Sequence, residues 1–175
     1  AVASRADKKG EYALPFFEAV FNAHPKAAEA EDCGGNLPLH FVAHRWFSSP
    51  AEGLRAMQML LNAHPKAAEA KNVGGNLPLH NVARWWCGGA PSEAAVRLLL
   101  SLAPHTAAEG NNDGELPLHC LCDNDESPSV AMAELLLSAN PAALAAKYKK
   151  GRTPCQVAAA NSMPPAVLSY LQRAE

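Results

Sequence analysis

The chain has 175 residues, room for one ordinary domain or a short array of repeats. Fifteen basic residues against 17 acidic ones leave a net charge of −2, so no overall field recommends DNA, RNA or an anionic membrane as partner. The apolar share of 49% excludes a disordered tail, yet 35 residues are alanine and only 6% are aromatic, a composition for closely packed helices rather than a thick core.

No apolar run approaches the roughly 20 residues that span a bilayer, and the opening residues do not read as a signal peptide. Direct membrane insertion is not expected. Five cysteines (Cys33, Cys87, Cys120, Cys122 and Cys155) are an odd number without framework spacing. They point to a reducing, intracellular compartment. Cytoplasm is expected, with plastid or mitochondrion after removal of a targeting peptide as the alternative. The start at Ala1 reads as a processed or excised chain.

Residues 1–12 read as an N-terminal extension and residues 13–175 as one repeat domain. Phe16, Phe17, Val20 and Phe21 have helical spacing and give a first long helix without a short partner. Residues 22–30 then read NAHPKAAEA and residues 34–40 GGNLPLH, where Pro38 opens a short helix. Leu54, Met57, Leu60 and Leu61 recur at helical spacing and predict the next long helix. Residues 62–70 and 74–80 repeat the two motifs letter for letter. Val96, Leu99 and Leu100 give another long helix, and residues 114–119 read GELPLH. Met132, Leu135 and Leu136 precede a weaker copy, GRTPCQ, at 151–156. Val167, Leu168 and Leu171 form the last long helix, whose Ser169, Gln172, Arg173 and Glu175 suit a polar cap.

Gly35, Gly75, Gly114 and Gly151 are separated by 40, 39 and 37 residues. A fixed period of this size means stacked units, each too small to bury its own apolar face. The prolines agree. Pro38, Pro78, Pro117 and Pro154 open short helices, and Pro50, Pro91, Pro128 and Pro164 stand near the start of long ones. Pro25, Pro65, Pro104 and Pro141 follow the long helices, where an extended turn is expected.

The stretch G-N-L-P-L-H-x-V-A resembles the ankyrin repeat, whose signature is G-x-T-P-L-H-x-A-A, and the resemblance covers roughly residues 13–174. It implies an all-α fold: an ankyrin-repeat solenoid of stacked helix pairs with β-hairpin-like fingers, four full repeats and an N-terminal half repeat. The signature Thr is replaced by Leu37, Leu77 and Leu116 and kept only as Thr153, while Gln156 stands where His is expected. The units exceed the usual 33 residues. The extra residues fall between the two helices, at 45–53, 85–92 and 123–130.

The resemblance assigns His40, His80 and His119 as structural pegs that tie finger to helix. Copies on the order of 10 Å apart are too distant to share a Zn²⁺ ion with Zn–N bonds of about 2 Å. Cys120 and Cys122, two apart on a helix, point to nearly opposite sides and read as packing. No nucleophile with a base, no G-x-x-x-x-G-K-[ST] loop and no catalytic carboxylate pair is found. No catalytic residue, cofactor or metal is expected. The chain reads as a non-enzyme.

The family's partner face is the concave side. Carried over by position, it holds Cys33, Gly34, Asn36, His44 and Arg45 in the first unit, and Val73, Gly74, Asn76, Arg84 and Trp85 in the second. It continues with Asn112, Asp113, Glu115, Asp123 and Asn124, and then Lys149, Lys150, Arg152, Ala160 and Asn161. From Leu98 to Ala146 there are seven acidic residues and no Lys or Arg, after which Lys147, Lys149, Lys150 and Arg152 flank Tyr148. Such banding serves orientation and partner choice; the plainer reading pairs Arg84 with Asp123. Trp46 and Trp86 are expected to be partly buried under the long connectors, with Trp85 turned about 100° away as a contact.

The expected partner-binding residues are therefore Arg45, Arg84, Trp85, Asp113, Glu115, Asp123, Lys149, Lys150 and Arg152. The expected function is a non-catalytic protein–protein interaction module with a protein partner and no nucleic acid. A structural subunit fixed in a larger multi-protein assembly is the alternative.

Overall fold

The computed structural model describes residues 13–44, 49–125, 127–161 and 163–174. These are all-helical, with no strand among the described residues. Five long helices, α1 (Ala13–Ala23), α3 (Pro50–Ala63), α5 (Ala90–Leu102), α7 (Val130–Ala139) and α9 (Pro165–Ala174), alternate with four short ones. The short helices are α2 (Pro38–Ala43), α4 (Pro78–Trp85), α6 (Pro117–Cys122) and α8 (Pro154–Ala160). No described helix is long and apolar enough to cross a membrane.

Short helices pack on short helices in chain order, and long on long, giving two rows that share one core. Ala43, Ala56, Ala83, Ala95 and Ala133 are fully buried, and Leu39, Met57, Leu79, Leu99, Leu118 and Leu136 fill the space around them. Small side chains let the helices approach closely while the leucines exclude water. The first long helix is the exception. Phe16 is 71% and Val20 47% exposed, although their repeat equivalents Ala56 and Leu60 are buried, because no described short helix packs beside α1.

Each short helix starts on proline, where a missing N–H costs nothing. Only the last one has a reciprocal capping box, with Thr153 Oγ1 accepting from Gln156 N and Gln156 Oε1 accepting from Thr153 N. In the other three units the leucine at that position supplies burial instead of a hydroxyl, Leu37 and Leu77 being fully inside.

Two expectations need correction. The segments after the long helices are not simply extended: Pro25–Glu29, Pro65–Glu69, Pro104–Ala108 and Pro141–Ala145 each form one 3₁₀ turn before the chain straightens. Proline stops the preceding helix but also suits the first position of a new turn. The connectors are also shorter than predicted. Gly53 and Ser92 lie inside α3 and α5, both buried. Nor are the connectors loose spacers, because Gly88 N donates to Ser127 O at 3.1 Å and Ser129 Oγ to Glu93 Oε1 at 2.9 Å. Trp86, 2% exposed, lies beneath them, and a Cβ on Gly53 would come within 3.0 Å of its ring.

Candidate partner-binding face

Between each 3₁₀ turn and the next short helix the chain doubles back in a tight turn. In the first, Gly35 N donates to Asp32 O at 3.0 Å and Asp32 N to Asn36 O at 3.1 Å. Gly75, at the same place in the second, has φ of +73°, a conformation that only glycine adopts without cost. Successive turns are joined by single backbone bonds: Val73 N to Gly34 O, Asn112 N to Gly74 O and Lys149 N to Asp113 O, at 2.8, 3.1 and 2.9 Å.

The three histidines stand between the short helices and these turns. In His40, Nδ1 accepts from Leu37 N at 3.1 Å, so the proton sits on Nε2, which donates to Ala70 O and Asn76 O, both at 3.1 Å. His80 accepts from Leu77 N and donates to Glu115 O at 2.9 Å, and His119 accepts from Leu116 N and donates to Ala146 O at 3.1 Å. Each ring thus fastens its helix to the following turn and has both nitrogens committed. Burial lowers the pKa of all three, to about 4 for His80, although the bonds to carbonyls pull the other way. Among the described residues no three His, Cys, Asp or Glu side chains converge as a metal-ligand set. Burial also pushes the Cys120 thiol up to about 11 and the Cys122 thiol higher still.

A continuous polar chain runs along the same side. Asn36 donates to Asp32, Asn72 Nδ2 to Asn36 Oδ1 at 2.8 Å, and Asn76 N to Asn72 Oδ1 at 2.9 Å. Asn111 Nδ2 then donates to Asn76 Oδ1 at 3.0 Å and to Glu115 Oε2 at 3.1 Å. Glu115 pairs with Arg84 Nη2 at 2.7 Å, Arg84 Nη1 pairs with Asp123, and Asp123 Oδ1 accepts from Asn161 Nδ2 at 2.7 Å. Arg84 Nη2 lies 3.2 Å from Cys120 Sγ as well. Burial works against the Arg84 charge, but this sulfur and the two carboxylates outweigh it and hold the guanidinium protonated.

Above this chain lies a groove of about 480 Å³, lined chiefly by Asn36, Asn76, Asn81, Arg84, Trp85 and Glu115. Its aromatic wall is Trp85, 38% exposed, whose ring centroid is 4.7 Å from that of His44. Asn81 Nδ2 donates to His40 O, and its Oδ1 has no partner among the described residues.

Of the residues expected to meet a partner, Trp85, Arg84, Asp113 and Glu115 line the groove together. Arg84 is not a free cation, since Glu115 and Asp123 hold it from the next unit. Lys149 reaches Asp113 at 3.4 Å with both side chains exposed, and Lys150 and Arg152 are exposed beside it. Arg45 and Trp46 lie outside the described residues. Asn124, placed on this face by repeat arithmetic, is instead 4% exposed, with Nδ2 donating to Ala83 O and Trp86 O. The seven-residue connector (123–129) turns it under the roof. Sequence reasoning missed the role of Asn72 and Asn111. Their signal was present as Asp32, Asn72 and Asn111, each four residues before Asn36, Asn76 and Glu115.

Compared with known proteins, the chain matches no family model and no curated sequence.

Proposed function

We propose that this chain is a non-catalytic protein-binding module, an ankyrin-type solenoid that grips a protein partner in the groove beside its turns. The observation that carries the reading is Trp85. It is a large aromatic ring left half-exposed over a 480 Å³ groove while its neighbour Trp86 is buried. Aromatic residues so placed concentrate binding energy at interfaces. The pegged histidines, the turns joined one to the next and the 37–40 residue period support the ankyrin-type assignment. The five cysteines, none of them in a disulfide among the described residues, support an intracellular, reducing setting. The test is photo-crosslinking from position 85 in the source cells. Capture of one protein, lost with Asn81→Ala and Arg84→Ala, is expected; equal labelling of many proteins contradicts the reading.

The exposed Phe16 and Val20 favour a second reading, a subunit fixed in a larger assembly through this side of α1. Recovery from source solely as a free 18.5 kDa monomer contradicts it.

A further inference from the structure

The groove beside Trp85 has spent its cation and kept its acceptors. Arg84 is shared between Glu115 and Asp123, two carboxylates on one guanidinium, so the three together keep one negative charge. Asp113 adds another. Lys149 stands 3.4 Å from it, but both side chains are exposed, and a pair in water contributes little.

The hydrogen bonds leave particular oxygens open. Glu115 Oε2 accepts from both Arg84 Nη2 and Asn111 Nδ2, and Oε1 has no partner among the described residues. Asn81 Nδ2 is fixed by its bond to the His40 carbonyl, which can only accept. The end left over is therefore the acceptor Oδ1, likewise without a partner among the described residues. Both residues line the groove, as do Asp113 and the half-exposed Trp85 ring. The face of an indole attracts cations. At about 480 Å³ the groove is of the size that holds one small ligand.

We propose that this groove receives an arginine side chain from the protein partner. The guanidinium lies against the Trp85 ring and donates to Glu115 Oε1, Asn81 Oδ1 and the Asp113 carboxylate. The inference rests on the protein-binding reading above and names what the partner inserts. Arginine fits in kind. It is planar, always charged and rich in donors with no acceptor, so it stacks on an aromatic ring while bonding several oxygens at once. Lysine carries the charge without the plane. An apolar side chain would cover the open oxygens of Glu115 and Asn81 without bonding them. An acidic peptide or a nucleic acid would set like charge against Glu115 and Asp113.

The test uses the whole chain labelled with nitrogen-15, at neutral pH and fixed salt. Binding is read by NMR from the Trp85 indole and Asn81 side-chain amide signals. The probe is the blocked peptide Gly-Thr-Arg-Thr-Gly, with twins carrying Lys, citrulline or Glu in place of Arg. Citrulline keeps the plane and loses the charge. The Arg peptide is expected to shift both signals saturably. The Lys twin binds about threefold and the citrulline twin about tenfold more weakly, and the Glu twin does not bind. Trp85→Leu, followed through Asn81, and Asp113→Asn each weaken the Arg peptide about fivefold. Lys149→Glu, an exposed change that removes the competing cation, strengthens it about threefold.

Equal binding of the Arg and citrulline peptides, or of the Arg and Lys peptides, overturns the inference. So does tighter binding of the Glu twin, or unchanged binding in both Trp85→Leu and Asp113→Asn. Self-association of the chain that Trp85→Leu abolishes would make the occupant a second copy and overturns it too. Absence of any shift, while one protein is still captured from position 85, overturns the arginine inference and spares the groove reading.

Discussion

Arg84, near the end of α4, is held by Asp123 and Glu115, residues 39 and 31 positions further along the chain. The pairing crosses from one unit to the next, so it fixes how two neighbouring helix pairs sit. Arg84→Ala leaves two partly buried carboxylates facing each other without a cation. A loss of about 1–3 kcal/mol in urea unfolding is expected, below the range for fully buried pairs because water reaches Asp123. A double-mutant cycle of Arg84→Ala with Asp123→Ala checks the assignment; additive losses contradict it.

The histidines make stability depend on pH. In the unfolded chain a histidine titrates near 6.5, and His80 in the fold titrates near 4 because its ring is buried. Between these values the unfolded chain binds the extra proton, so stability is complete above about pH 6.5 and falls as pH drops toward 4. His40 and His119 shift in the same direction. His80 by itself contributes about 3 kcal/mol to this slope. Urea midpoints measured from pH 7.5 to 4 are expected to decline, with a shallower decline in His80→Ala. A flat profile contradicts the neutral-peg geometry.

Two glycines separate backbone strain from crowding. Gly75 and Gly151 both have φ of +73°, but a Cβ on Gly75 falls 2.7 Å from Asn112 N, while one on Gly151 is unobstructed. Gly151→Ala is expected to cost about 1 kcal/mol, the left-handed penalty. Gly75→Ala adds the displacement of the neighbouring turn and costs clearly more. Equal losses in thermal melts would mean that the turns are not locked together.

Adjacent tryptophans have opposite phenotypes. Trp86→Ala empties a buried site under the connectors and is expected to cost about 3–5 kcal/mol. Trp85→Ala removes a half-exposed ring and changes stability by less than about 1 kcal/mol, yet it reduces partner capture. The two variants are compared by melting temperature and by recovery of partner on the immobilised chain.

Much of the architecture was legible from the chain itself. Proline at each short-helix start, leucines at helical spacing and the recurring glycines state a local geometry that needs no distant contact. The site was legible in part. Trp85 was identified by its place in the repeat, but Asn124 occupies the equivalent of Trp85 and is buried. Repeat arithmetic assumes equal loops, and the connector after α6 redirects its first residues.

The sequence alone determined the long and short α-helices, their order and the period at which they recur, because capping, proline geometry and apolar spacing act within a few residues. Only the tertiary structure decided which polar groups find each other. Asn72 meets Asn36, Arg84 meets Asp123 and His80 meets Glu115 O across gaps of 36, 39 and 35 residues. Such partners are set by how one helix pair lies on the next, a relationship that no single stretch of chain contains.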